Sequence, residues 1–220
     1  KNKMTELNGV DYIGLSSSEL HGRNFDQETS RSAVGQPIGS FFVYETDGLF
    51  QSDAEIQNYK NDRGELLQPN AKPGDIRFKD LNGDGVINSD DRDFKGNPLP
   101  DCSMGLTLGF NYKNFDVSAF FQGVFGNEVY NLTNYLGEFY NQAQYNKNST
   151  ILDAWRPDNT DTDIPRVTLD DPNNNIRPST YYIHNASFVR LKNLKVGYTL
   201  PDKVASKLKL KRTYIYLQGQ

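Results

Sequence analysis

The residues best suited to chemistry fall in one dozen, Asp80-Leu-Asn-Gly-Asp-Gly-Val-Ile-Asn-Ser-Asp-Asp91. Oxygen-bearing side chains stand at loop positions one, three, five, nine and twelve, and a glycine holds position six, where a tight calcium loop turns sharply. Asp80, Asn82 and Asp84 offer side-chain oxygens, and Val86 offers its backbone carbonyl. Asn88 would ligate directly or through water, and Asp91 would close the set. Hard oxygen donors in this pattern suit a hard divalent cation, Ca2+ first and Mg2+ second. Aspartate at the last position has a shorter arm than glutamate, so it would bind through one oxygen and weaken the site. The competing reading is an empty Asx-rich turn, because Asn and Asp make such turns unaided.

Other candidate chemistry is sparse. His21 and His184 have no neighbouring cysteine or acidic ligand pattern and read as exposed loop residues rather than a zinc site. Seryl nucleophile motifs and phosphate-cradling glycine loops are absent. The acidic pairs Asp170-Asp171 and Asp161/Asp163 read as solvated loop charges, since sequence sets no carboxyl spacing for glycoside hydrolysis. Nothing here points to an enzyme. The aromatic-rich stretch Tyr130–Tyr145 with Trp155 has two readings: exposed rings stacking on sugars or a partner, or rings packing the loop against itself.

Positioning elements follow from composition and alternation. The 220 residues are 36% hydrophobic yet 12% aromatic, with 18 glycines, a mix that suits a turn-rich β protein. A net charge of −4 with no basic stripe argues against nucleic acid as a partner. The single cysteine, Cys102, excludes an internal disulfide framework. No apolar run approaches the ~18 residues of a membrane helix, and no signal peptide opens the chain. That test leaves a membrane β-barrel open, because its strands are short and alternate.

In Cys102–Asn111 the even positions Cys102, Met104, Leu106, Leu108 and Phe110 are apolar, and the odd positions are small or polar. Phe115–Gln122 alternates likewise, with Phe120 breaking the pattern, and Tyr112-Lys113-Asn114 is short enough for a tight hairpin. Ser187–Leu200 forms a third strand whose second half alternates Leu194, Val196, Tyr198 and Leu200. Pro201 ends it, Asp202–Leu208 suits a short helix, and Arg212–Gln220 a last strand. An earlier strand is expected at Ile38–Tyr44, and helices near Asp53–Tyr59 and Glu128–Tyr145. Gly74–Lys79, before the cation loop, reads as extended, and little more than one helical turn fits after it. Without paired helices the loop has no sensor switch to operate. Residues 45–101 and 126–185 form very long connections, set against short turns at the other strand ends. That asymmetry suits an outer-membrane barrel, and a soluble calcium-bound β module that binds carbohydrate or a protein partner is the alternative. Strands of 10 or more residues with an outward apolar band would favour the barrel. A two-sheet core burying Leu106, Leu108, Val117 and Val196 would favour the soluble module.

Several segments, in order, resemble the SusC/RagA family of TonB-dependent outer-membrane transporters. They include Val34–Phe42, Asp47–Ser52, Lys72–Gly85 running into Gly96-Asn-Pro98, and Phe120–Asn127. Trp155-Arg-Pro157, Asp163-Ile-Pro-Arg166 and Ser187–Pro201 complete the set. The resemblance implies an all-β fold, an antiparallel transmembrane segment of a 22-stranded barrel with long extracellular loops. It further implies that residues 1–220 are a C-terminal portion without the plug and the final strands. Both ends fall inside patterned sequence, as expected of a piece of a longer protein. A SusD-like surface lipoprotein, TonB acting through a segment outside this chain, membrane lipid, and an oligosaccharide or peptide substrate would be the partners. In that orientation Cys102–Asn111 descends from the outer face with its apolar side toward lipid. Tyr112, Phe115 and Tyr198 join an aromatic girdle, and the cation staples an extracellular loop. Dockerin-type loops also carry aspartate at position twelve, but they come duplicated with helices, and this chain has one loop.

Overall fold

A computed structural model describes residues 2–16, 28–139 and 146–220. In chain order the first strands are β1 (Tyr12–Ser16), β2 (Glu28–Ala33), β3 (Ser40–Tyr44) and β4 (Thr46–Leu49). Helix α1 (Asp53–Asn58), β5 (Ile76–Phe78) and β6 (Arg92–Gly96) follow. Next come β7 (Cys102–Tyr112), β8 (Phe115–Phe125), β9 (Glu128–Tyr130) and α2 (Leu132–Gly137). The chain continues with β10 (Ile183–Asn185), β11 (Phe188–Thr199), α3 (Asp202–Lys207) and β12 (Tyr214–Gly219). Every strand pair in these sheets is antiparallel. No helix among the described residues is long and apolar enough to cross a membrane, which says nothing of strands. The chain forms two compact units, Lys1–Leu99 with Glu128–Asn185, and Pro100–Asn127 with Ala186–Gln220.

The second unit is a four-stranded sheet in the order β12-β11-β8-β7. Its strands β7, β8 and β11 run 11, 11 and 12 residues, as a membrane crossing requires. Register puts Leu106 opposite Phe121, Leu108 opposite Ala119 and Phe110 opposite Val117, so one face is apolar throughout. Val196 lies opposite Val117 and continues that face into β11. The other face carries Asp116, Ser118, Gln122, Asn193 and Lys195. Leu106, Leu108 and Val196 are 55, 53 and 41% exposed, so no second sheet among the described residues packs over them. The soluble two-sheet expectation fails on this point.

Within β11 the ladder skips Lys192: Leu191 pairs with Phe121, and Asn193 pairs with Phe120. The bulge explains an otherwise conflicting pattern, since Val189 and Leu191 are odd whereas Leu194, Val196 and Tyr198 are even. One extra residue keeps both runs on the same face. Phe120, the exception in β8, lies over Gly105, where an added Cβ would meet its ring at 3.0 Å. The β7–β8 turn is two residues, with Lys113 at φ +54°, and the side-chain amide of Asn114 donates to the Thr199 carbonyl at 2.8 Å.

The first unit joins a sheet of order β1-β2-β3-β6 to the two-stranded pairs β4-β5 and β9-β10. The two long connections therefore build structure rather than coil. Leu49, Ile76, Phe78, Phe139, Trp155, Ile176 and Tyr182 form a buried core drawn from both. Expected boundaries shift in places. The helix expected near Glu128–Tyr145 opens instead as β9, which pairs with β10, and among the described residues of that span Leu132–Gly137 is helical. Residues 140–145 lie outside the described set. Ser52 caps α1 by accepting from the Glu55 amide at 3.3 Å.

Candidate functional site

The cation loop runs from the end of β5 to the start of β6, and its side chains hold its own backbone. Asp80 Oδ1 and Oδ2 accept from the amides of Gly83 at 2.7 Å and Gly85 at 2.9 Å. Asn82 Oδ1 accepts from the Asp84 amide, and Asp84 Oδ1 from that of Val86, each at 2.9 Å. Asp84 Oδ2 receives the side-chain amides of Asn82 at 3.1 Å and Asn88 at 3.4 Å. The Val86 N–H, then Asn82, hold the Asp84 carboxyl below the usual aspartate range. Asn88 caps a 3-10 turn, Ser89–Asp91, by accepting from the Asp90 amide. Asp91 is fully buried, and its oxygens accept from Leu81 and Asn88, each at 2.8 Å. The paired helices of a sensor are absent on either side, with β5 before the loop and β6 directly after the 3-10 turn.

The donor set is chemically right for a hard cation: three carboxylates, two side-chain amides and the Val86 carbonyl, all oxygen. Asp84 Oδ2 links Asn82 and Asn88, Asp80 holds the Gly83 and Gly85 amides, and Asp91 braces the loop through the Leu81 and Asn88 amides. Among the described residues no three Asp, Glu, His or Cys side chains are gathered as a metal-holding cluster. Ile87, next to Asn88, packs against the core of the unit and anchors the loop there.

A network that alternation could not reveal ties the long connections together. Asp75 is fully buried and takes Arg166 Nε at 2.6 Å and Nη2 at 3.2 Å, a two-pronged pair across 91 positions. Asn175 Nδ2 donates to the same carboxylate at 2.9 Å, while Asn175 Oδ1 accepts from the Ile76 amide at 2.8 Å. Gln68 and Asn173 donate to the Ile76 carbonyl, each at 3.0 Å, and Gln68 Oε1 accepts from the Phe78 amide. Side-chain amides thus do for the free edge of β5 what a neighbouring strand would do. Asp171, expected as a solvated charge, is buried and accepts the amides of Asn175 and Ile176. Burial raises its pKa against the pull of those two donors.

Among the described aromatic residues of the long connections, Phe139, Trp155 and Tyr182 pack inward. Trp155 is buried and donates from Nε1 to Gln51 Oε1 at 2.9 Å. Phe139, Tyr181 and Tyr182 meet with ring centroids 5.2–6.0 Å apart. Self-packing therefore prevails over exposed stacking for these rings. His184 lies on β10 with its residue exposed, while His21 falls outside the described residues.

Beside that aromatic core a cleft of about 370 Å³ opens. Leu49, Ile76, Ile164 and Ile183 form its apolar part, and Glu138, Asp163, Asn134 and His184 add polar groups. Tyr181 donates to Glu138 Oε2 at 2.5 Å, and Thr150 to Oε1 at 3.1 Å, which fixes that carboxylate. Burial first, then the bond to Glu138, raises the Tyr181 phenol well above its ordinary value. Glu138 carried no signal in the sequence, because a lone acidic residue in a polar loop has no periodicity to mark it.

Long antiparallel strands with one apolar face, whose long connections fold into a packed module, define the wall and loops of a β-barrel membrane protein. The chain is similar to known TonB-dependent receptors. It is 36% identical over 220 residues, all of its length, to TonB-dependent receptor P3 of Formosa agariphila, covering 21% of that protein. TonB-dependent receptor P26 of the same organism is 35% identical over 219 residues, again covering 21% of the relative. TonB-dependent receptor SusC of Bacteroides thetaiotaomicron is 28% identical over 205 residues, 91% of this chain and 18% of SusC. The chain thus spans about a fifth of the length of the curated relatives it matches. Among solved structures, the RagAB peptide transporter superposes with a TM-score of 0.64 at 26% identity, covering 98% of this chain and 21% of that one. The RagAB peptide importer in its closed-closed state gives a TM-score of 0.65 at 24% identity, with the same coverage. No family model matches the chain.

Proposed function

We propose that this chain forms part of the barrel wall and the outer loops of a TonB-dependent outer-membrane importer. It would serve uptake of an oligosaccharide or peptide together with a SusD-like lipoprotein, without covalent chemistry of its own. The observation that supports this reading best is the second unit: long strands, an exposed apolar face and a polar opposite face, in a chain similar over its whole length to such receptors. The apolar face would meet lipid, with the polar face lining the barrel interior. Phe115 and Tyr198, centroids 4.6 Å apart next to the tight turn, suit the aromatic girdle at one membrane boundary. TonB would act through a part of the receptor outside this chain. The test is uptake of labelled oligosaccharide and peptide pools by cells with and without the receptor gene. Loss of uptake of one pool supports the reading, and unchanged uptake of every pool overturns it.

The loop Asp80–Asp91 is proposed as a Ca2+ site that stiffens the outer module, with Mg2+ as the weaker fit. Its oxygen donors and its anchor through Ile87 support this reading. Bound there, the cation would supply charge that draws the Asp80, Asn82, Asp84 and Asn88 oxygens together, while Asp91 keeps the 3-10 turn in place. Calorimetric titration of the full-length receptor with Ca2+ tests it. Asp84→Ala should abolish the heat of binding and make residues 75–98 more open to protease, with the barrel strands still formed. Unfolding of the strands in that variant would sink the role of a local staple.

A further inference from the structure

The cleft beside α2 has a composition that selects a ligand. Its volume, about 370 Å³, falls in the range of small-ligand pockets, roughly 300–1,000 Å³. Two carboxylates line it, Glu138 and Asp163, and no lysine or arginine is among the described residues around it. Lys147, the basic side chain held close to α2, donates to the carbonyls of Leu136 at 3.0 Å and Phe139 at 2.8 Å. Glu138 is a buried residue, and Tyr181 and Thr150 hold its carboxylate in one orientation. Apolar side chains of Leu49, Ile76 and Ile164 complete the lining.

Part of the cleft wall is main chain without a side chain. The β4–β5 ladder shifts register between Thr46 and Leu49, so Asp47 and Gly48 stand out of step with β5. Gly48 lines the cleft at φ +74°, with nothing within 4 Å of where a Cβ would sit. An extended chain can approach the main chain there without a side chain in its way.

We infer that this cleft binds the cationic side chain of a peptide, a lysine or arginine whose aliphatic stem lies on the apolar wall and whose charge meets Glu138 and Asp163. The stem and head of such a side chain match an apolar wall with an acidic end, as a neutral sugar does not. The inference rests on the importer reading above and narrows its substrate to basic peptides.

The test uses the full-length receptor with its lipoprotein in detergent and two probes, Ala-Ala-Lys-Ala-Ala and the same peptide with norleucine for lysine. The lysine peptide should bind more tightly. Asp163→Asn, at an exposed position, should reduce that preference by about fivefold. Glu138→Gln should reduce it by more than about tenfold. Equal affinity for the two peptides overturns the inference, as does a lysine preference that survives in both variants. Maltohexaose competing with a peptide whose lysine makes no difference would make this a sugar site and also overturn it. Should the cells import oligosaccharide through this receptor and no peptide, the importer stands and only the cleft assignment falls.

Discussion

Asp75 has no exposed surface, and Arg166, Asn175 and the Lys72 amide occupy its two oxygens. Removing Arg166 would leave that charge buried with its counter-ion gone, which costs about 3–5 kcal/mol. Arg166→Ala is therefore expected to open the loop module to protease at a temperature where the wild-type receptor resists. Glu45 gives a pH-dependent counterpart. Lys79 and Lys95 lie 2.5 and 2.6 Å from its oxygens and hold its carboxyl below the ordinary glutamate range. A lowered folded pKa stabilises above the unfolded value and is lost as pH falls through the folded one. The thermal stability of wild type should thus exceed that of Glu45→Gln near neutrality, with the gap closing in acid. The group is partly solvated, so the gap at neutrality should stay within about 1 kcal/mol. At this scale the sequence was legible only where spacing carried meaning. The cation loop announced itself because its donors keep a fixed beat, whereas Asp75, Asn173 and Asn175 gain their meaning from partners about a hundred positions away.

The strands of the second unit show the reverse case. Their alternation states which side chains share a face, and pairing does no more than align those faces. Leu108→Arg, on the apolar face, should lower assembly of the full-length receptor in lipid by about 2–4 kcal/mol, while Ser118→Arg on the opposite face should be tolerated. Heat-modifiable migration on gels would distinguish the two variants. The bulge supports a sharper prediction. Deleting Lys192 removes a residue that already sits outside the ladder, so Leu191 and Leu194 keep their common face and the barrel should still assemble. Deleting Lys195 instead inverts every position after it and should abolish assembly. The phase change from odd to even apolar positions was present in the sequence and would have located the bulge. In the first unit the strands β4, β5, β9 and β10 are three or four residues long. So short a run has too few alternations to stand out, and β9 was masked by a helical pattern that continues past it.

For the whole molecule, Lys1–Leu99 with Glu128–Asn185 form one compact body and the long-stranded sheet belongs to another. Buried aromatic side chains, a fully paired acid and amides that close the β5 edge make the first body a rigid platform. A platform of that kind can hold a ligand cleft and a cation loop in fixed geometry, as flexible loops would not. The long-stranded sheet leaves its apolar face exposed, whereas Phe50, Ile76, Phe78 and Tyr182 of the first unit are buried.

The sequence by itself determined the strand faces, the tight turn at Lys113-Asn114 and the likeness to TonB-dependent receptors. These are properties of residues close in the chain, where period and spacing are sufficient. Only the tertiary structure decided that Trp155 and Tyr182 pack inward, that Asp171 is buried, and that Glu138 and Asp163 line one cleft. Each of those depends on residues far apart in sequence, brought together by burial of a core that local pattern does not encode.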